Sequence, residues 1–224
     1  ALDAVENFFD LSRQSLLAEG RAWSQQVGGA VPDNPIANRR NGTGLRRKEA
    51  TRGEILVDKP LDDRFTLVVK HNAAFAALLP DLGHRFETWA VVRNPLAVLA
   101  SWHSVDLPVS RGRLPAGERL DSALAASLQA TPDLVARQLL ILDWFFTKFS
   151  ESLPAGRVLA YERVVSSGGA LLGEALGVAL PARGLEARNA SPLYDPAQAR
   201  TLADRLLSQG GAWRSFYPEA EVEA

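Results

Sequence analysis

The order of apolar runs constrains this chain most. Thr66-Leu67-Val68-Val69-Lys70 and Thr88-Trp89-Ala90-Val91-Val92 are short and β-branched, and between them lies a helical stretch from Ala73 to Leu79. Strand, helix, strand is the parallel βαβ unit, because parallel neighbours need a crossover connection. Both runs are apolar at consecutive positions rather than alternate ones, so each predicts a strand buried on both faces. Arg157 to Tyr161 predicts a third strand. The expected class is α/β, a three-layer fold whose mainly parallel sheet is flanked by helices.

Around this unit the spacing predicts mostly helices. Val5, Phe8, Phe9, Leu11, Leu16 and Leu17 predict a helix with one apolar face within residues 1 to about 27. From Gly28 to Gly53 the apolar signal fades into a loop-like stretch carrying Arg39, Arg40, Arg46, Arg47, Lys48 and Arg52. Asn94 as N-cap and Pro95 as first helical residue open a helix through Trp102. Residues 104 to 122 read as a loop. Thr131-Pro132 opens a long helix through Leu134, Leu139, Leu142, Phe145, Phe146 and Phe149, and further helices are expected near 163 to 177 and 196 to 208. No repeat or linker interrupts the chain, so residues 1–224 are expected to form one domain.

The balance of 25 Lys+Arg against 26 Asp+Glu gives a net charge of −1, so no global field favours nucleic acid or an anionic membrane, and any anion site must be local. The basic stretch 39 to 52 reads either as a solvated surface or as an anion-facing substrate loop, a role Arg111 and Arg113 could share. The absence of cysteine excludes thiolate chemistry, and three scattered histidines leave little for a zinc cage. Every purely apolar run is shorter than ten residues, against the roughly 20 a spanning helix needs. No membrane span and no leader are expected, and a cytoplasmic location is.

Ligands of open parallel sheets sit beyond the carboxyl ends of the strands. That directs attention to Lys70-His71-Asn72, Arg93-Asn94-Pro95 and Tyr161-Glu162. At the second, a strand end delivers an arginine beside a capped helix N-terminus, whose N–H groups and dipole favour negative charge. Ser101 follows Asn94 by two helical turns, so a hydroxyl and a guanidinium could converge on one phosphate. The alternative is an arginine paired with a neighbouring carboxylate and a serine merely tolerated in a helix. For His71 the alternative to chemistry is capping the helix that begins near Ala73. Tyr161 and Glu162 read as anchors of a strand end.

Val92-Arg93-Asn94-Pro95-Leu96-Ala97-Val98-Leu99-Ala100-Ser101-Trp102 resembles the signature with which sulfotransferases bind 3′-phosphoadenosine 5′-phosphosulfate (PAPS). The flanks are similar too. Leu67 to Lys70 resembles the preceding strand and its lysine, Arg157 to Glu162 the later strand ending in Tyr-Glu, and Trp213, Phe216, Tyr217 and Pro218 the closing segment. The resemblance implies a P-loop NTPase-like sulfotransferase fold. It implies that PAPS is the cofactor and PAP the product, with no metal. Arg93 and Ser101 would hold the 3′-phosphate, Lys70 would lie near the sulfuryl oxygens, and His71 would take the acceptor proton.

Two departures stand beside it. The family's Gly-rich phosphate loop has no counterpart here and is expected ahead of Ala1, since no apolar strand feeds Asn41-Gly42-Thr43-Gly44. The order Lys70-His71-Asn72 also places the histidine one residue earlier than the family's Lys-Thr-His. The expected acceptor is a small molecule, glycan, lipid or peptide bearing a hydroxyl or amine, with no nucleic-acid partner. Rival readings are another P-loop transferase such as a kinase, or a non-catalytic descendant that binds an anion.

Overall fold

The computed structural model describes residues 1–222, which divide into two compact units, Ala1–His71 and the remainder from Asn72. The first unit opens with helix α1 (Leu2–Glu19), shorter than the sequence predicts because Gly20 adopts a left-handed φ of 65° and its N–H closes back on Leu16 and Ser15 carbonyls. The chain then enters β1 (Arg21–Gln26), β2 (Ile36–Arg40), β3 (Arg46–Lys48) and β4 (Thr51–Leu56). β1 pairs antiparallel with β4 from Arg21↔Leu56 to Gln26↔Thr51, and β2 pairs with β3 from Ile36↔Lys48 to Arg40↔Arg46 across an irregular register. The Pro35 carbonyl accepts from the Glu49 and Ala50 N–H groups, so the inner ladder continues toward the outer one. Together they form a two-stranded arm closed at Asn41–Leu45, where the Asn41 carboxamide accepts from the Thr43 and Leu45 N–H groups.

This arm overturns the loop expected from 28 to 53. From Asn38 to Glu54 its strands are almost wholly polar, so that run carries no apolar alternation by which to recognise it. The strand expected at 66–70 is also corrected: those residues form no strand and have no ladder partner. β-branched residues favour strands only where neighbours cover them, and Val68 remains 59% exposed.

In the second unit, α2 (Asn72–Ala77) and α3 (Leu79–Leu82) replace the single helix expected from 73 to 79. β5 (Ala90–Val92) leads into α4 (Pro95–His103); α5 (Pro115–Leu120), α6 (Ser122–Ala130) and α7 (Leu134–Ser152) follow. β6 (Val158–Ala160) then pairs parallel with β5, from Ala90↔Val158 to Val92↔Ala160. α8 (Tyr161–Ser166), α9 (Ala170–Leu176), α10 (Pro196–Gln209) and α11 (Glu219–Val222) complete the unit. The parallel pairing expected of the second and third runs is therefore present. The described sheets are each two-stranded, so the molecule is α/β with helices and small sheets.

α7 organises the packing because it is apolar on two sides. Leu139, Leu142 and Phe146 join Val92, Leu99, Leu202, Leu206, Trp213 and Tyr217 in the largest core cluster. On another side Ile141 packs with Ala73, Leu114, Leu124 and Leu128. Its N-cap is Asp133, whose carboxylate accepts from the Ala136 N–H at 2.7 Å, two residues beyond the expected Thr131. Asp143 accepts from the Ala212 N–H at 2.7 Å and so holds the segment after α10. Gly211 makes this approach possible: its φ is 133°, and a Cβ there would lie 2.5 Å from the Asp143 carboxylate. Among the described residues no helix is long and apolar enough to cross a membrane.

Candidate functional site

Parallel pairing brings the carboxyl ends of β5 and β6 side by side, so Arg93-Asn94 and Tyr161-Glu162 leave the sheet at one edge. The Asn94 side chain accepts from the Ala97 N–H at 3.1 Å, capping α4 as its sequence predicts. Beside that cap the half-buried Arg93 is held by the irregular segment before α10. Nε donates to Asn189 Oδ1 at 2.8 Å, and Nη2 donates to the Arg188 carbonyl and, at 3.2 Å, to the Tyr194 hydroxyl. The guanidinium carbon lies 5.0 Å from the centre of the Tyr161 ring. Nη1 makes no hydrogen bond among the described residues.

Glu162 is the anion of this edge. One carboxylate oxygen accepts from the Asn94 backbone N–H at 3.0 Å and from Asn189 Nδ2 at 2.6 Å; the other accepts from the Tyr217 hydroxyl at 2.8 Å. The Tyr217 oxygen also lies 3.2 Å from the Val92 carbonyl, and the charged acceptor takes the larger share of its single proton. Burial would raise the Glu162 carboxyl, but donors from Asn189, Asn94, its own backbone and Tyr217 outweigh it and hold the group below the usual range. The Tyr217 phenol is pushed up, first by burial and then by the Glu162 carboxylate. Asn189 therefore links the two charges, its carbonyl oxygen on Arg93 and its amide nitrogen on Glu162.

Ser101 lies on α4, half-buried, and its hydroxyl makes no hydrogen bond among the described residues. Seven residues from Asn94, it stands about 10 Å further along the axis and on nearly the same face. Arg93 thus precedes the first turn of α4, and Ser101 lies in its last. Lys70 and His71 end the first unit as exposed residues of an irregular stretch, and α2 begins immediately after His71. The glycine-rich Asn41–Gly44 segment is the tip of the arm and feeds no helix. Arg111 and Arg113 each meet a carboxylate, Asp106 at 2.7 Å and Glu118 through two guanidinium nitrogens.

Asn189 and Tyr194 were not legible as site residues, for they lie in a polar stretch without periodicity. One signal was available: the chain has three tyrosines, and Tyr161, Tyr194 and Tyr217 all meet at this edge. Chemically the arrangement offers one fixed guanidinium with an unshared N–H face, one unengaged hydroxyl on the adjoining helix, and a carboxylate that already neutralises part of the charge. No protein-family model matches the chain, and neither a curated protein nor a solved structure was found similar to it.

Proposed function

We propose that the chain is a PAPS-dependent sulfotransferase of P-loop-like α/β fold, with the nucleotide 3′-phosphate bound at the carboxyl end of β5. The observation that carries this reading is the Arg93 junction: a parallel strand ends in an arginine, a capped helix begins beside it, and a free hydroxyl follows two turns later. In this reading Arg93 Nη1 and Ser101 Oγ serve as donors to the phosphate oxygens. When bound, PAPS supplies an activated sulfuryl group for transfer to an acceptor oxygen or nitrogen. In this reading Arg93 and Ser101 orient the nucleotide, Lys70 neutralises charge on the sulfuryl oxygens, and His71 removes the acceptor proton. The Lys70 and His71 roles rest on the sequence resemblance.

A second reading, anion binding without transfer, is favoured by the Glu162 carboxylate, which already occupies the Asn94 N–H that an incoming phosphate would use. Calorimetric titration with PAP and adenosine 5′-phosphate tests the first reading. Arg93→Ala is expected to weaken PAP by about 1.5–3 kcal/mol, roughly 10- to 150-fold, and to leave the monophosphate nearly unchanged. Turnover of labelled PAPS then separates enzyme from binder. Equal loss for both nucleotides removes the 3′-phosphate from Arg93.

A further inference from the structure

The two-stranded arm of the first unit combines two features. Arg39, Arg47, Lys48 and Arg52 are exposed and form no ion pair among the described residues. Arg40 and Arg46 stand opposite each other in the inner ladder, and Arg40 Nη1 donates to the Gly44 carbonyl at 2.7 Å. The acidic residues within the arm are Asp33, Glu49 and Glu54, and Glu54 is engaged by Arg21. A chain of net charge −1 therefore concentrates positive charge on one short ribbon.

The second feature is apolar exposure on the same arm. In the outer ladder Arg21, Trp23 and Gln25 lie opposite Leu56, Glu54 and Arg52 on the solvent-facing side. Trp23 is 64% and Leu56 70% exposed, and Val27 and Val31 in the excursion between β1 and β2 are 46% and 60% exposed. Trp23 and Leu56 are diagonal neighbours across the ladder.

We propose that this arm docks the protein on an anionic lipid surface, the cations meeting headgroups and Trp23, Leu56, Val27 and Val31 entering the headgroup–acyl boundary. Charge complementarity selects an anionic surface, and the apolar residues select lipid among such surfaces. A single-stranded nucleic acid needs successive aromatic platforms, whereas the arm exposes one large ring and several aliphatic chains that cannot stack on bases. A lipid boundary rewards both, since tryptophan favours the interface and aliphatic groups partition below it. The proposal goes beyond the nucleotide reading and does not depend on it.

Vesicle flotation at about 0.1 M salt, near a 10 Å screening length, tests it. The full chain is expected to float with phosphatidylcholine vesicles containing phosphatidylglycerol and not with phosphatidylcholine alone. Each cation near such a surface contributes about fivefold in partition. The triple variant Arg39→Glu, Arg47→Glu, Lys48→Glu should therefore lose at least about a hundredfold. Trp23→Ser with Leu56→Ser should lose severalfold and leave a residual binding that salt abolishes. Circular dichroism checks that each variant folds, and the milder pair Arg39→Gln, Lys48→Gln replaces the triple variant if reversed charge disrupts the ladder. PAP affinity is expected to be the same in all of them. Flotation without need of anionic lipid, flotation unchanged in the variants, or capture of a single-stranded RNA oligomer in place of vesicles overturns the proposal.

Discussion

The second unit contains every residue of the three apolar core clusters, whereas the first buries only Leu16, Ala37 and Ala50 among its apolar side chains. The imbalance recurs in exposure: eight of the large exposed apolar residues belong to the first unit and four to the second. Order in the first unit comes from ladder hydrogen bonds and turn chemistry, each worth about 1 kcal/mol net. Order in the second comes from side chains that each contribute about 1.5–3 kcal/mol on full burial. Local opening should accordingly begin in the arm and reach α7 last.

Truncations give the sharpest contrast. Leu99→Ala, at a residue with 0% exposure inside the largest cluster, should cost about 2–5 kcal/mol in denaturant unfolding. Leu16→Ala, at a buried residue outside all three core clusters, should cost markedly less. Equal losses would break the comparison.

Next comes the edge itself. Tyr217→Phe removes a donor from the Glu162 carboxylate and should cost about 1.5–3 kcal/mol near neutral pH. Because the Glu162 carboxyl is depressed in the folded state, its contribution is present above the ordinary glutamate value, about 4.3, and is lost as pH falls through the folded value. Glu162→Gln should remove that part of the acid limb. The part owed to Glu118, Asp121 and Asp133, which are also depressed, should remain.

His103 gives the smallest effect. Burial lowers its pKa, while Gln138, itself buried and donating to the Val109 carbonyl, holds the ring nitrogen at 2.7 Å. The unfolded chain binds a proton near the ordinary value of about 6.5 that the folded chain refuses, so stability is full above that pH and declines below it. The slope is at most about 1.4 kcal/mol per pH unit. His103→Asn should flatten stability as pH falls below about 6.5, and a profile identical to the parent would place the titration elsewhere.

Legibility followed the same division. Elements whose pattern mirrors burial were readable: the Asn94-Pro95 cap and the apolar stripe of α7. The runs that become β5 and β6 were readable as strands, but β5 is not buried on both faces as its continuous apolar run predicts, since Val91 is 51% exposed. The arm was not, because β2 and β3 are held by register and by the Asn41 turn, and neither leaves an apolar trace. Thr66–Lys70 misled for the opposite reason, since a strand-like run needs a partner that local sequence cannot report. At the site, Arg93 and Glu162 were visible as strand-end residues. Asn189 was not, for a single amide linking them acts through the fold rather than through spacing.

The parallel pair β5–β6 also has a consequence in time. Its two strands, three residues each, meet only after the whole segment from Arg93 to Arg157 has been made and α4 to α7 have been laid between them. Closing so long a loop for so short a ladder is entropically slow, and contacts of high sequence separation lower folding rates. The antiparallel arm, by contrast, closes on a tight turn soon after synthesis. During elongation the edge of β5 therefore waits unpaired while the less stable ribbon is already formed, and Arg93 acquires its partners at Asn189 and Tyr194 only when the C-terminal third emerges.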